Sequence, residues 1–244
     1  MNRSFLIRTL PAALVTALTV AAPAAQALPQ SGLTNGDFSH GSTGWSTAGD
    51  VAALHSELIL STASTLYEDD YPLPVGALNV SGTGALDNWF GDLDTAAGVA
   101  PGLLGAGAAL EGSVAWQSFN VHAGDRLSLR YNLRTADGLS PDLAFVAFGG
   151  QAYTLATADQ ALLPTGAAHQ LGETGWQTWS FTFTQAGTVR LAVGVADLDD
   201  AAGTSTLLVD DVSVTPVPEP QSVLMMLAGL GVMALVSWRM RSGR

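Results

Sequence analysis

The residues in this chain with chemical potential are almost all carboxylates, and they come in groups. Asp210 and Asp211 stand together inside an apolar run, and Glu68-Asp69-Asp70 form a triplet. Asp87, Asp92 and Asp94 make a looser cluster, as do Asp197, Asp199 and Asp200. Hard oxygen donors of this kind suit calcium, which also takes backbone carbonyls. None of the groups has the ligand spacing of an EF-hand loop, so the last three read as solvated loop charge. Paired carboxylates can hydrolyse glycosides, but nothing in the sequence selects one pair over another. His40, His55, His122 and His169 are isolated, without metal-ligand spacing. There is no G-x-S-x-G elbow, no cysteine and no glycine-rich phosphate loop ending in Lys-Ser or Lys-Thr. The chain reads as a non-enzyme.

Sugar recognition needs less. Apolar sugar faces stack on exposed aromatics, and carboxylates and amides hydrogen-bond the hydroxyls. The aromatic candidates are Trp45, Tyr67, Tyr71, Trp89, Trp116 and Trp176. Trp179 alternates in phase with Phe181 and Phe183 and belongs to a core face, and Trp45 is also assigned to the core. Tyr71 and Trp89 lie in an irregular stretch with nowhere obvious to pack, so they are the expected ligand-binding aromatics.

Charge excludes one class of partner. All nine cations are arginine, and the formal net charge is −12. Removing Arg3 and Arg8 at the front, and Arg239, Arg241, Arg244 and Glu219 at the back, leaves four arginines against twenty acids, a body charge near −16. Such a body repels phosphate backbones, so no nucleic-acid partner is expected. Without cysteine, its stability must come from its core.

The two ends have their own logic. Arg3 and Arg8, the apolar stretch from Leu10 to Ala22, and Ala25-Gln26-Ala27 form a secretory signal. Signal peptidase would cut after Ala27, so residues 1–27 are the signal peptide and 28–215 the body. At the other end, Ser222 to Trp238 is an uncharged run, about 25 Å long as a helix. It is expected to be a single C-terminal transmembrane helix over 222–238, with Arg239, Arg241 and Arg244 as its basic cytoplasmic anchor.

Val217-Pro218-Glu219-Pro220, the apolar span and the terminal arginines together resemble the PEP-CTERM sorting signal of Gram-negative bacteria. That resemblance, over residues 216–244, implies processing near the Pro-Glu-Pro by an exosortase, a membrane transpeptidase-like enzyme. It also implies a host that makes exopolysaccharide. The location expected is export through the inner membrane, transient C-terminal anchoring, then the cell surface or beyond. Physically, the two prolines keep the segment extended, as a protease cleft prefers.

The body that carries these features reads as strands. From Arg126 to Arg134 the chain alternates, with Leu127, Leu129, Tyr131 and Leu133 on one face and Arg126, Ser128, Arg130, Asn132 and Arg134 on the other. Trp179 to Thr184 and Val189 to Val195 alternate too, and 143–148 and 207–214 are apolar runs of strand length. Turn signals separate them, so an all-β antiparallel sandwich is expected. The Gly-, Ala-, Asp- and Pro-rich stretch 68–109 is an irregular excursion, with a short helix over 86–95 and otherwise functional or mobile.

Leu33-Thr34-Asn35-Gly36-Asp37-Phe38 with Gly44-Trp45, and the closing Leu208-Val209-Asp210-Asp211-Val212-Ser213-Val214, resemble the edges of galactose-binding-like jelly rolls, including carbohydrate-binding modules. The resemblance implies a jelly roll over residues 31 to 215 and a possible structural calcium held by Asp210 and Asp211 with Asp37. The chain departs from the pattern at Ser39, where many relatives are acidic. The alternative for the Asp210-Asp211 pair is capping or ladder-edge hydrogen bonding. The expected role is a structural or adhesive one linked to exopolysaccharide or biofilm. A carbohydrate-binding module with a defined sugar is the alternative, with a hydrolase a distant third.

Overall fold

A computed structural model describes residues 32–65, 73–137, 142–166, 171–200, 202–217 and 220–242. In chain order the first strands are β1 (Ser46–Ala48), β2 (Asp50–Leu54), β3 (Glu57–Ser61), β4 (Leu86–Asp87), β5 (Ala109–Val121) and β6 (Arg126–Thr135). The others are β7 (Leu143–Phe148), β8 (Gln151–Thr157), β9 (Leu163–Thr165), β10 (Leu171–Glu173), β11 (Gln177–Thr182), β12 (Gly187–Leu198) and β13 (Ser205–Thr215). One six-stranded sheet runs β1-β5-β12-β7-β8, with β4 beside β5. A seven-stranded sheet runs β2-β3-β13-β6-β10-β9, and β11 extends β10's side of β6. Every pairing is antiparallel.

The alternation in the sequence places the main core between the sheets. Leu127, Leu129 and Leu133 of β6 meet Leu58, Leu60, Leu191, Val193, Val195, Leu207 and Val209, all fully buried. Trp45 joins this core as expected, and Trp179 packs against it half-buried.

β12 and β7 depart from a half-buried pattern. From Leu191 to Leu198, and throughout Leu143–Phe148, every residue is buried. The reason lies in the excursion, which is less irregular than its composition suggests. Within it, α1 (Asp92–Ala97) begins later than the helix expected over 86–95, after the short strand β4. Leu93, Ala97, Val99 and Leu104 form a second core on the outer face of the six-stranded sheet, against Val114, Phe145, Ala192 and Ala196. Small residues on β5 and β12 make the room. A Cβ on Gly194 would lie 2.4 Å from the Phe145 ring, and one on Gly112 would lie 2.2 Å from the Val195 carbonyl oxygen.

Two buried carboxylates, Asp94 and Asp50, tie the excursion down, so Asp94 is not the solvated charge that the sequence suggested. Asp94 accepts hydrogen bonds from the backbone N–H groups of Gly102, Leu103 and Leu104 at 2.9–3.2 Å. Asp50 of β2 accepts from Ser61 Oγ, from Val80 N at 2.9 Å, and from Ser81 N and Oγ at 2.7 and 2.6 Å. Asp197 is buried as well. Arg190 of β12 completes the clasp: it donates to the Ala96 carbonyl at the end of α1, and its guanidinium lies 4.7 Å over the Trp116 ring.

After β13, four residues lead to α2 (Pro220–Ser242), with Arg239 and Arg241 in its last turn. Its side chains over 225–241 are exposed all round. Among the described residues, no helix is long and apolar enough to cross a membrane. The expectation for 222–238 is met as a helix.

Candidate functional site

The outer face of the seven-stranded sheet gathers polar side chains that the sequence leaves scattered. Alternation sends Arg126, Ser128, Arg130, Asn132 and Arg134 of β6 to this face, opposite its core leucines. Antiparallel register then sets Thr206, Leu208 and Asp210 of β13 beside Arg134, Asn132 and Arg130. On the other flank, Glu173 of β10 pairs with Arg134, and Thr178 of β11 pairs with Arg130.

Glu173 is the hub of one end. Its Oε2 accepts from Asn132 Nδ2 at 2.8 Å and from Arg134 Nε at 3.0 Å. The Asn132 hydrogen bond, then Arg134, holds the Glu173 carboxyl below its usual range. It is therefore ionised at neutral pH and poorly suited to donate a proton. About 13 Å along the strand, the Arg130 guanidinium lies 4.8 Å over the Trp176 ring and its Nη1 pairs with Asp211 Oδ2 at 3.2 Å. Arg126 donates to Ser180 Oγ at 2.8 Å.

A groove of about 240 Å³ opens over the Glu173 end of this face. Ile59, Thr206, Leu208 and Arg134 line it from the sheet, and Leu171 and the Ala77–Val80 segment wall it. That wall stays in place because Asp50 binds Val80 and Ser81. Fixed guanidinium and carboxylate groups, an apolar floor and a braced indole make an amphipathic surface. It can stack an apolar ring face while bonding hydroxyls.

The expected site residues fall in several places. Trp89 is 75 % exposed and its neighbour Phe90 is 90 % exposed. Both sit on a turn fixed by Asn88, whose side chain bonds Asp94, the Ala109 carbonyl and the Leu93 and Asp94 N–H groups. Tyr71 lies outside the described residues, as do Ala25 and Ala27 of the signal, Pro218 and Glu219 of the sorting motif, and Arg244. Val217 is half exposed, and Pro220 opens α2.

The three aspartates proposed for calcium each have another engagement. Asp37 Oδ1 accepts from Ser39 N and Oγ at 3.3 and 3.0 Å, and chiefly this backbone bond lowers its pKa. Asp211 pairs with Arg130, while Asp210 Oδ1 accepts from Asp211 N at 2.7 Å. Burial raises the Asp210 pKa. Among the described residues, no three His, Asp or Glu side chains converge to hold a metal ion.

Sequence reasoning passed over Asn132, Arg134 and Glu173, and weighed Trp176 without selecting it. The available signal was the set of arginines at every fourth position of an alternating strand, which places three of the body's four cations on one face.

The fold and this face define a two-sheet antiparallel sandwich whose seven-stranded sheet carries a groove lined by Arg134 and an apolar floor. Its C-terminal segment, residues 216–242, matches the PEP-CTERM protein-sorting motif, so the chain carries that sorting motif. No curated protein matches the chain. Among solved structures, it is similar to TmCBM61 in complex with β-1,4-galactotriose, at 14 % identity and a TM-score of 0.34, over 77 % of this chain and 99 % of that one. A CBM4 structure matches at 14 % identity and a TM-score of 0.35, over 75 % and 98 % of the two chains. A β-glucosidase from Kluyveromyces marxianus in complex with glucose matches at 9 % identity and a TM-score of 0.23, with only 18 % of that chain covered.

Proposed function

We propose that the protein is an exported, non-catalytic carbohydrate-binding sandwich of the cell surface, delivered by its C-terminal sorting motif and released by an exosortase. The observation that carries the binding reading is the outer face of the seven-stranded sheet. There, Arg134, held with Asn132 by Glu173, lines an apolar-floored groove, and Arg130 stacks on Trp176 about 13 Å along the same strand. The alternation of β5, β6 and β7, and later of β11, β12 and β13, between the sheets supports a jelly-roll wrapping. Before release, α2 serves as the anchor. Its uncharged run is about 5 Å short of a typical bilayer core, a mismatch that local thinning and snorkelling of Arg239 and Arg241 accommodate. The ligand is a glycan of the surrounding exopolysaccharide.

A second reading is favoured by the bare Trp89–Phe90 turn, on which a sugar would stack with little polar help. Binding of the intact protein to an array of bacterial glycans tests recognition itself: selective retention supports it, and a uniformly blank array contradicts it. Delivery has its own test, which rests on the Pro-Glu-Pro segment. Glu219→Ala is expected to leave a larger, membrane-retained form on immunoblots of fractionated cells. Unchanged processing would rule out recognition through Glu219.

A further inference from the structure

The acids of this body are not spread evenly over the fold. β6 and β13 pair from Arg126–Thr215 at one end to Thr135–Ser205 at the other. β5 and β12 run the same length, from Val121–Gly187 to Ala109–Leu198. The end holding Val121, Arg126 and Thr215 is where the chain leaves for α2, and the Val217 side chain lies beside Gly124 there.

At this anchor end the turns are nearly free of negative charge. They comprise His122-Ala123-Gly124-Asp125, Gly149-Gly150 and Phe183-Thr184-Gln185-Ala186. Their one acid, Asp125, is 3 % exposed and turned inward to accept from His122 N at 2.8 Å. Arg126 is exposed beside it. The nearest other acids among the described residues, Asp210, Asp211, Asp37 and Glu57, stand back from the turns, and Asp211 is paired with Arg130. Asp37 follows Gly36, whose carbonyl accepts from Val212 N, and Glu57 precedes Leu58, the partner of Val209. The opposite end carries Asp87, Glu111, Asp137, Asp159, Glu173 and the Asp199-Asp200 pair, with Arg134 as the cation among its described residues.

The separation matters because screening is short-ranged. The two ends of β6 are about 30 Å apart, whereas exposed charges cease to feel one another beyond roughly 10 Å at ordinary ionic strength. An anionic surface touching the anchor end would therefore meet Arg126 and neutral turns, and would scarcely sense the acids at the far end.

We infer that the turns at 122–125, 149–150 and 183–186 form a membrane-apposed face, laid against an anionic lipid surface, with the acidic end held outward. This rests on α2 being the anchor. The four residues between β13 and α2 reach only about 13 Å, so this end must approach any surface that receives the helix.

The test uses the intact chain, whose lack of cysteine permits single labels. A fluorophore is placed at Gln185→Cys or at Leu162→Cys, and the protein is reconstituted in phosphatidylethanolamine–phosphatidylglycerol vesicles containing a headgroup-quencher lipid. The expected result is strong quenching at position 185 and none at 162. In the Thr184→Glu, Ala186→Glu variant, quenching at 185 should fall severalfold at low salt and return as salt is raised. Equal quenching at both positions, in protein that floats with the vesicles, would overturn the orientation and leave the anchor standing. Failure to float would overturn both.

Discussion

Replacing Asp142 with asparagine is expected to stabilise the protein at pH 7.5 by about 2–3 kcal/mol, and to change little at pH 4. Asp142 is 1 % exposed, and Ser205 Oγ donates to its Oδ2 at 2.6 Å. Asp197, equally buried, is a neighbouring carboxyl. Burial pushes the Asp142 carboxyl from 3.8 up to about 6, against the pull of Asp197 and Ser205. A folded-state pKa raised in this way means that the fold favours the protonated acid. Its contribution is fully present below about pH 4 and is lost as pH rises through about 6. The shift of roughly two units corresponds to about 3 kcal/mol. Asparagine keeps the shape and an N–H donor for Asp197 but cannot ionise. In thermal unfolding, the wild type should lose about 5–10 °C between pH 4 and 7.5 and the variant much less. Parallel pH profiles for the two proteins would remove Asp142 from the account.

The second large effect is at Asp50. Its carboxylate joins β2 to Ser61 of β3 and to the Val80–Ser81 backbone, from a position that is 0 % exposed. Asp50→Ala leaves the buried Ser61 hydroxyl without this acceptor and frees the segment that walls the groove. A cost of about 2–4 kcal/mol is expected, below the sum of its hydrogen bonds because Ser81 is exposed and can be hydrated. Urea unfolding gives the energy. Proteolysis of the native protein should show new cleavage between residues 76 and 85. A stable variant with an unchanged digest would mean that the wall is held by other contacts.

Both effects sit where the sequence was hardest to read. The core strands were legible because one face of β6 is apolar at every second residue, Leu127, Leu129, Tyr131 and Leu133, and that period leaves little choice of fold. The excursion was not. Its burial depends on Leu93, Val99 and Leu104 meeting Ala192, Gly194 and Ala196, residues about a hundred positions away, and no local period announces such a match. The same holds for the acids. Asp94 and Asp197 read as solvated loop charge in sequence, and only the fold shows them, with Asp50 and Asp142, to be buried. The candidate face was half legible. The spacing of Arg126, Arg130 and Arg134 foretold one polar surface, but Glu173, Trp176 and the 77–80 wall reach it through pairings that skip most of the chain.

The most direct test of the binding face is calorimetric titration of the intact protein with oligosaccharides from the host's own exopolysaccharide. Wild type, Trp176→Ala and Trp89→Ala would be compared. The expected result is saturable binding that Trp176→Ala weakens by about thirtyfold, as for loss of a central aromatic anchor worth about 2 kcal/mol, with Trp89→Ala close to wild type. Binding that is absent from the wild type, or lost only on replacing Trp89, would contradict the assignment of the outer sheet face.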